Sequence, residues 1–206
     1  MTVKNPDLRK ERIASVLPNK KEPYDSCQCL YAEQTCRHSL DQHEFSGCSF
    51  ESIVFASSMR GCLFMDAVFE NCDFSNADFR ESVCRRVIFR KCRMTGADFS
   101  CSTLQDVQLL GCKADYVNFN ASSFKNILLK DNLFMNGAFS ACKVKEMEIH
   151  ACDFSNADFF QTSLQDLDFS DSVIDGFTVD TEHLKGASFN AAQGLAIAEL
   201  MGIHIK

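Results

Sequence analysis

From Phe64 to Phe189, every fifth residue is apolar. The walk passes Phe69, Phe74, Phe79, Cys84, Phe89, Met94 and Phe99, and ends through Phe159, Leu164, Phe169, Ile174, Val179 and Leu184. Two residues ahead of each stop sits a smaller side chain, such as Cys72 before Phe74 or Ala77 before Phe79, while the remaining three positions are mostly polar. A helix would smear this stripe around its whole circumference, because its turn holds about 3.6 residues. A long strand would alternate every second residue. Two inward residues in each five, with a change of direction between units, describe short extended sides joined by corners: a stacked solenoid.

The smaller inward residue sets the number of sides. Sorted every 20 positions it falls into chemically distinct columns: Ala67, Val87, Val107, Ile127, Met147, Leu167 in one, and Cys72, Cys92, Cys112, Asn132, Cys152, Ser172 in another. Sorted every 15 the columns become mixtures, so four sides make a coil. Phe79, Phe99, Phe119, Phe139 and Phe159 then form one unbroken aromatic stack, placed beside the smallest partners as close packing requires. The octapeptide CDFSNADF occurs at Cys72–Phe79 and again at Cys152–Phe159, four coils apart. One step departs from the rule. Phe55 to Phe64 is nine residues rather than ten, which predicts a kink or bulge near Ala56–Arg60.

The triplets Ala77–Phe79, Ala97–Phe99 and Ala157–Phe159, all ADF, and VNF at Val117–Phe119 resemble the A-(D/N)-(L/F)-x-x signature of pentapeptide repeat proteins. The resemblance implies an all-β solenoid, a right-handed quadrilateral β-helix of four repeats per coil. It divides the chain into an N-terminal capping segment (1–41), the β-helix (42–190) and a C-terminal segment (191–206).

Residues 1–41 lie outside the repeat. PDLRKERIASVL reads as a short helix, stopped by Pro18 and Pro23, that caps the open coil end. Cys27, Cys29, Cys36 and His38 are possible zinc ligands, but Cys-x-Cys with Cys-x-His is not a common zinc spacing, and cysteine fills inward slots all along the chain. Neither a metal nor another cofactor is expected. At the other end, Asn190 is placed to cap a helix from Ala191 to Met201, ended by Gly202. That helix is apolar nearly all round, with Gln193 and Glu199 its polar exceptions, so it has to be buried. It resembles the element through which the Qnr-like branch forms head-to-head dimers, which implies a homodimer interface of Leu195, Ile197, Leu200, Met201, Ile203 and Ile205.

The five histidines are scattered and no nucleophile, phosphate-cradling or acid–base motif is present, so an enzyme is not expected. The N-terminus lacks the apolar run of a signal peptide and no segment approaches membrane-spanning length, so the expectation is a cytoplasmic protein without a membrane contact. A formal net charge of −7 argues against direct nucleic-acid binding. The charge is uneven: residues 145–206 hold 11 Asp and Glu against 3 Lys and Arg. Asp78, Asp98 and Asp158 should line up on the Phe face, and Asp153, Asp166, Asp168, Asp171 and Asp175 extend the acidic surface. Sides stacked about 4.8 Å apart make roughly seven coils ~35 Å long, and a dimer twice that. Qnr-like proteins bind DNA gyrase and topoisomerase IV as duplex mimics and protect them from quinolones, so the resemblance implies that partner. The alternative is a general interaction solenoid without it. Leu110, Leu128, Leu133, Met135 and Phe160 point outward as a possible second contact patch.

Overall fold

The computed structural model describes residues 2–8, 13–14, 17 and 25–204. They form a parallel β-solenoid closed at its C-terminal end by one short helix. The strands are β1 (Ile13–Ala14), β2 (Asp25–Cys27), β3 (Cys29–Ala32), β4 (Thr35–Cys36), β5 (Glu44–Ser46), β6 (Ser49–Glu51) and β7 (Val54–Phe55). Five strands of eight residues follow: β8 (Leu63–Glu70), β9 (Val83–Arg90), β10 (Thr103–Leu110), β11 (Ser123–Lys130) and β12 (Lys143–His150). Each long strand pairs with the next at a spacing of 20, for example Phe64↔Cys84 and Leu104↔Phe124. The other two sides of each coil carry single parallel bridges, Asp73↔Arg93 and Asp78↔Asp98. Four sides per coil is therefore the observed architecture, and the pairing from Ser58 to Thr178 leaves no excursion between coils.

The corners explain how an eight-residue strand covers two sides. Residues two after each apolar stop sit in the left-handed region, Asp66 at φ 54°, Asn71 at 53°, Asn76 at 58°, and so on to Asp166 at 64°. Asn, Asp and Gly tolerate this conformation and β-branched residues do not. None of the corner residues from Gly61 to Gly176 is Val, Ile or Thr. The first β-branched one is Thr181, and there the corner gives way to a 3-10 turn, Thr181–Leu184.

The core is the predicted one. Phe79 and Phe99 stack with centroids 4.3 Å apart, Phe99 and Phe119 5.2 Å, Phe119 and Phe139 5.4 Å, Phe139 and Phe159 4.8 Å. The small polar inward residues have a further task. Ser82, Ser102, Ser122 and Thr162 each donate a hydroxyl to an inward carbonyl of the coil before, at Met59, Phe79, Phe99 and Phe139. Cys92, Cys112 and Asn132 do the same to Phe69, Phe89 and Leu109. Met59, Phe79 and Phe99 already accept the N–H three residues on, so these hydroxyls take the second lone pair of an inward carbonyl that no water reaches. All twelve cysteines are free, and burial pushes the Cys84 thiol up to about 12, so it serves packing rather than reactivity.

Three expectations need correction. Coil geometry begins at Asp25, inside the segment expected to stand outside the repeat: β2, β3 and β4 pair with β5, β6 and β7 at a spacing of 19. The irregular step is not a bulge. One side of each early coil is a residue shorter, Cys36 to Leu40 and Phe55 to Met59, and the buried Leu40 stacks over it, its N–H donating to Ser58 at 2.8 Å. Finally, Ile13–Ala14 is a strand on Cys29–Leu30, not part of a helix; the rest of that call, with Pro18 and Pro23, falls outside the described residues.

Candidate protein-binding surfaces

Five of the eight expected acidic residues do structural work at their own corners. Asp78, Asp98, Asp153, Asp158 and Asp168 each accept a hydrogen bond from the backbone N–H two residues on, at 2.9–3.0 Å. This side-chain turn substitutes for a backbone one, which is why Asp or Asn follows the small residue. The carboxylates still carry charge. Ser170, through its hydroxyl and its backbone N–H, holds Asp168 below the usual carboxylate range. Burial works against Asp158, but bonds from Ser140, Phe160 N and Thr178 together lower it.

The column expected to be continuous is interrupted. It runs Ser58, Asp78, Asp98, Asn118, Ala138, Asp158, Thr178. Asp78 is also neutralised by a two-pronged contact with Arg80, at 2.9 and 2.6 Å. The same is true across the N-terminal half: Asp66 pairs with Arg86, Glu70 with Arg90 and Asp73 with Arg93. In the C-terminal half the pattern reverses. Among the described residues no Lys or Arg lies within ion-pair distance of Asp153, Asp158, Asp166, Asp168 or Asp175, and Asp171 has only His150, at 3.7 Å. Asp166, Asp168, Asp171 and Asp175 are exposed. The negative surface is thus one end of the solenoid, not a stripe along it.

The helix α1 (Ala191–Leu200) carries the N-cap predicted at Asn190, completed as a capping box by Gln193. Gln193 is buried, its Nε2 donating to the carbonyls of Phe169 (2.9 Å) and Ser172 (2.6 Å), while Leu195, Leu200, Met201 and Ile203 remain exposed. Ile197 is the one expected interface residue that packs on the core; Ile205 lies outside the described residues. Leu133, Met135 and Phe160 are exposed as well, joined by Tyr116 at 64%.

The N-terminal residues hold a contact that no periodicity announced. Residues 2–8 do not cover the coil end but lie along one corner of the wall. The N–H of Asp7 donates to Asp66 (2.9 Å), Gln108 donates to Asn5 (2.8 Å) and Asn126 donates to the carbonyl of Thr2 (3.1 Å). Leu17 is buried at the end of the stack, its N–H on Gln34. Arg86, at 2.6 Å, holds Asp66 below the usual carboxylate range. A carboxylate depressed in the folded state stabilises it above the unfolded pKa, and that contribution is lost as pH falls through the folded value. The arm should therefore loosen selectively in acid: amide exchange of Asp7 should accelerate below about pH 4 while that of Phe99 in the core does not. Equal acceleration of both would show that Asp66 does not anchor the arm.

Cys36 and His38 approach to 3.9 Å, but Cys27 and Cys29 do not join them, and no group of three or more metal-ligating side chains occurs among the described residues. No helix among them is long and apolar enough to cross a membrane.

Residues 62–136 match the family described as Pentapeptide repeat region. Among solved structures, the fold is similar to a trypsin-treated form of QnrB1, a plasmid-mediated fluoroquinolone resistance protein, with a TM-score of 0.50 and 20% identity over 95% of this chain and 98% of that one. Full-length QnrB1 aligns at 14% identity over 84% and 100%, with a TM-score of 0.41. HetL, a pentapeptide repeat protein involved in heterocyst differentiation regulation in the cyanobacterium Nostoc, aligns at 14% over 82% and 90%, with a TM-score of 0.38. These likenesses are of fold. Comparison with curated protein sequences gives no match.

Proposed function

We propose that this chain, a pentapeptide-repeat protein, is a cytoplasmic binding protein whose acidic end occupies the DNA-binding groove of a type II topoisomerase, DNA gyrase or topoisomerase IV. The observation that supports the reading most is the run of carboxylates at Asp153, Asp158, Asp166, Asp168 and Asp175, which have no Lys or Arg partner among the described residues. Stacked coils repeat about every 4.8 Å and duplex phosphates about every 3.4 Å per strand, so such a surface offers a basic groove charges at comparable density. The fold it shares with QnrB1, a fluoroquinolone resistance protein, points to the enzymes those drugs attack. A homodimer through α1 would place two acidic ends side by side at the centre of a rod. Drug protection would have to come from the coil walls themselves, because the continuous pairing from Ser58 to Thr178 leaves no loops to project from them.

One observation favours the rival reading of a general interaction solenoid. Arg93, Lys113 and Leu133 occupy the same outward column as Asp73 and Asp153, so duplex-like charge is confined to one end. Binding to gyrase decides between them. Affinity for the DNA-gate subunits should fall at least tenfold between about 50 and about 200 mM salt, and linear DNA should compete. Replacing Asp166, Asp168, Asp171 and Asp175 together with Asn should remove most of that salt dependence. Binding that ignores salt and DNA, or no inhibition of supercoiling, leaves the rival standing.

A further inference from the structure

The sheet of long strands stops at β12 for a reason that lies in the backbone. Val83, Thr103, Ser123 and Lys143 each donate an N–H to the coil before, at Cys62, Ser82, Ser102 and Ser122. The next member, Ser163 to Cys142, is missing, and β12 has no partner strand on that side. The parallel series that ends with Asp131 N–H on His150 also goes no further. Residues 163–169 keep only the forward bonds that every coil makes, Leu164 to His183 and Phe169 to Ser188, and have lost those to the coil before. The remaining two sides stay joined across the same interval, by Asp153↔Val173 and Asp158↔Thr178. The solenoid is therefore split over half its circumference and intact over the other half.

The split opens a groove of about 370 Å³ lined by Val144, Lys145, Glu146, Met147, Ser163, Gln165, Asp166 and Leu167. Its floor is apolar. Val144, Met147 and Leu167 also line a small internal void of about 10 Å³ closed by Phe124, Phe139 and Phe154. Val144 and Met147 are only half-buried, where their counterparts Phe124 and Ile127 are fully covered. Glu146 and Asp166 stand at the rim in the left-handed corner conformation. They continue the corner column of Asp66, Arg86, Asp106 and Asn126, along which the N-terminal arm lies.

We propose that this groove binds an extended segment of a partner protein carrying an apolar residue flanked by lysine or arginine. The arm shows the mode. It is an extended segment seated on the upstream part of the same corner, with Asp7 donating its backbone N–H to the Asp66 carboxylate and Thr2 reaching Asn126. Downstream of Thr2 the column presents Glu146 and Asp166, with no hydrogen-bond donor to either side chain among the described residues. Backbone N–H groups of the segment take those carboxylates, its apolar side chain covers Val144, Met147 and Leu167, and the open edge of β12 supplies further backbone partners. A second solenoid does not fit, because the slot is closed above and below by coils of this same chain. Basic flanks follow from the rim carboxylates and from the acidic half in which the groove lies.

The test uses the full chain and a fluorescent peptide, Lys-Val-Lys-Val-Lys, followed by anisotropy at low salt. Saturable binding is expected, weakened at least tenfold by the double substitution Glu146→Lys with Asp166→Lys. The charge-matched pair Glu33→Lys with Glu51→Lys, exposed in the N-terminal coils far from the groove, should change it by less than twofold. Lys-Gly-Lys-Gly-Lys should bind at least tenfold more weakly, since it brings nothing for the apolar floor. Absence of binding, equal loss in both double variants, or equal affinity for the glycine peptide would each overturn the proposal.

Discussion

Phe99→Ala should lower the unfolding free energy by about 3–5 kcal/mol, the range for emptying a fully buried aromatic site. The ring is fully buried, sandwiched between Phe79 at 4.3 Å and Phe119 at 5.2 Å, and meets Phe89 edge-on at 6.2 Å. Neither neighbour can move in to fill the gap, because each is held by its own coil's ladder on either side. Unlike a globular core, a solenoid distributes stability through nearest-neighbour interfaces, so one weakened interface can also divide a single transition into two. Urea unfolding followed by circular dichroism should therefore show a lower midpoint, with broadening or a second step. Phe160→Ala is the control: that ring is 53% exposed and its loss should stay within about 0.5 kcal/mol. A loss below about 1 kcal/mol for Phe99→Ala would mean that the stack is not what holds neighbouring coils together.

What could be read from the sequence was whatever repeats. Packing dictates a large and a small inward residue on every side, so the Phe column and the four-sided coil were visible as spacing. The first coil escaped because its inward residues, Ser26, Tyr31, Cys36 and Leu40, are not the usual Phe and because its repeat is one residue short. Another signal was present and unused. The left-handed corner excludes β-branched residues, and Thr181, the first to stand there, marks where the corner becomes a 3-10 turn.

The binding surfaces were less legible, for physical reasons. Asp78 and Asp98 look in sequence like free surface charge, but the first is taken up by Arg80 and both close a turn. The arm rests on polar contacts reaching more than a hundred residues along the chain, such as Asn5 with Gln108, and such contacts leave no local pattern. The groove at Glu146 and Asp166 is more hidden still. Residues 161–170 keep the inward pattern of every other coil, Thr162, Leu164, Leu167 and Phe169, while residues 163–169 lack the backbone bonds to the coil before.

The C-terminal helix makes the second strong prediction. Gln193 is one of its two polar residues, yet this side chain is buried and fastens the helix to the last coil. Its Nε2 donates to Phe169 and Ser172, and its Oε1 accepts the N–H of Asn190 at 2.8 Å. Gln193→Leu roughly keeps the volume but leaves the Ser172 carbonyl and the Asn190 N–H without the partners they have now, while the Phe169 carbonyl keeps the N–H of Ser172. Each orphaned group costs about 1–3 kcal/mol, so a total of about 2–6 kcal/mol is expected, concentrated at the C-terminal end. Amide exchange in Ala191–Leu200 should rise by orders of magnitude while exchange at Phe99 is unchanged. Leu200→Asp separates docking from assembly. Leu200 is exposed in the single chain, so this change should leave stability nearly intact and, if the exposed apolar residues of the helix face a second copy, halve the mass measured by light scattering. A Gln193→Leu protein as stable as the original would show that the helix is held by its apolar contacts instead. Unchanged mass in Leu200→Asp would mean that those side chains meet no second copy, and the acidic ends would then stand apart, not side by side.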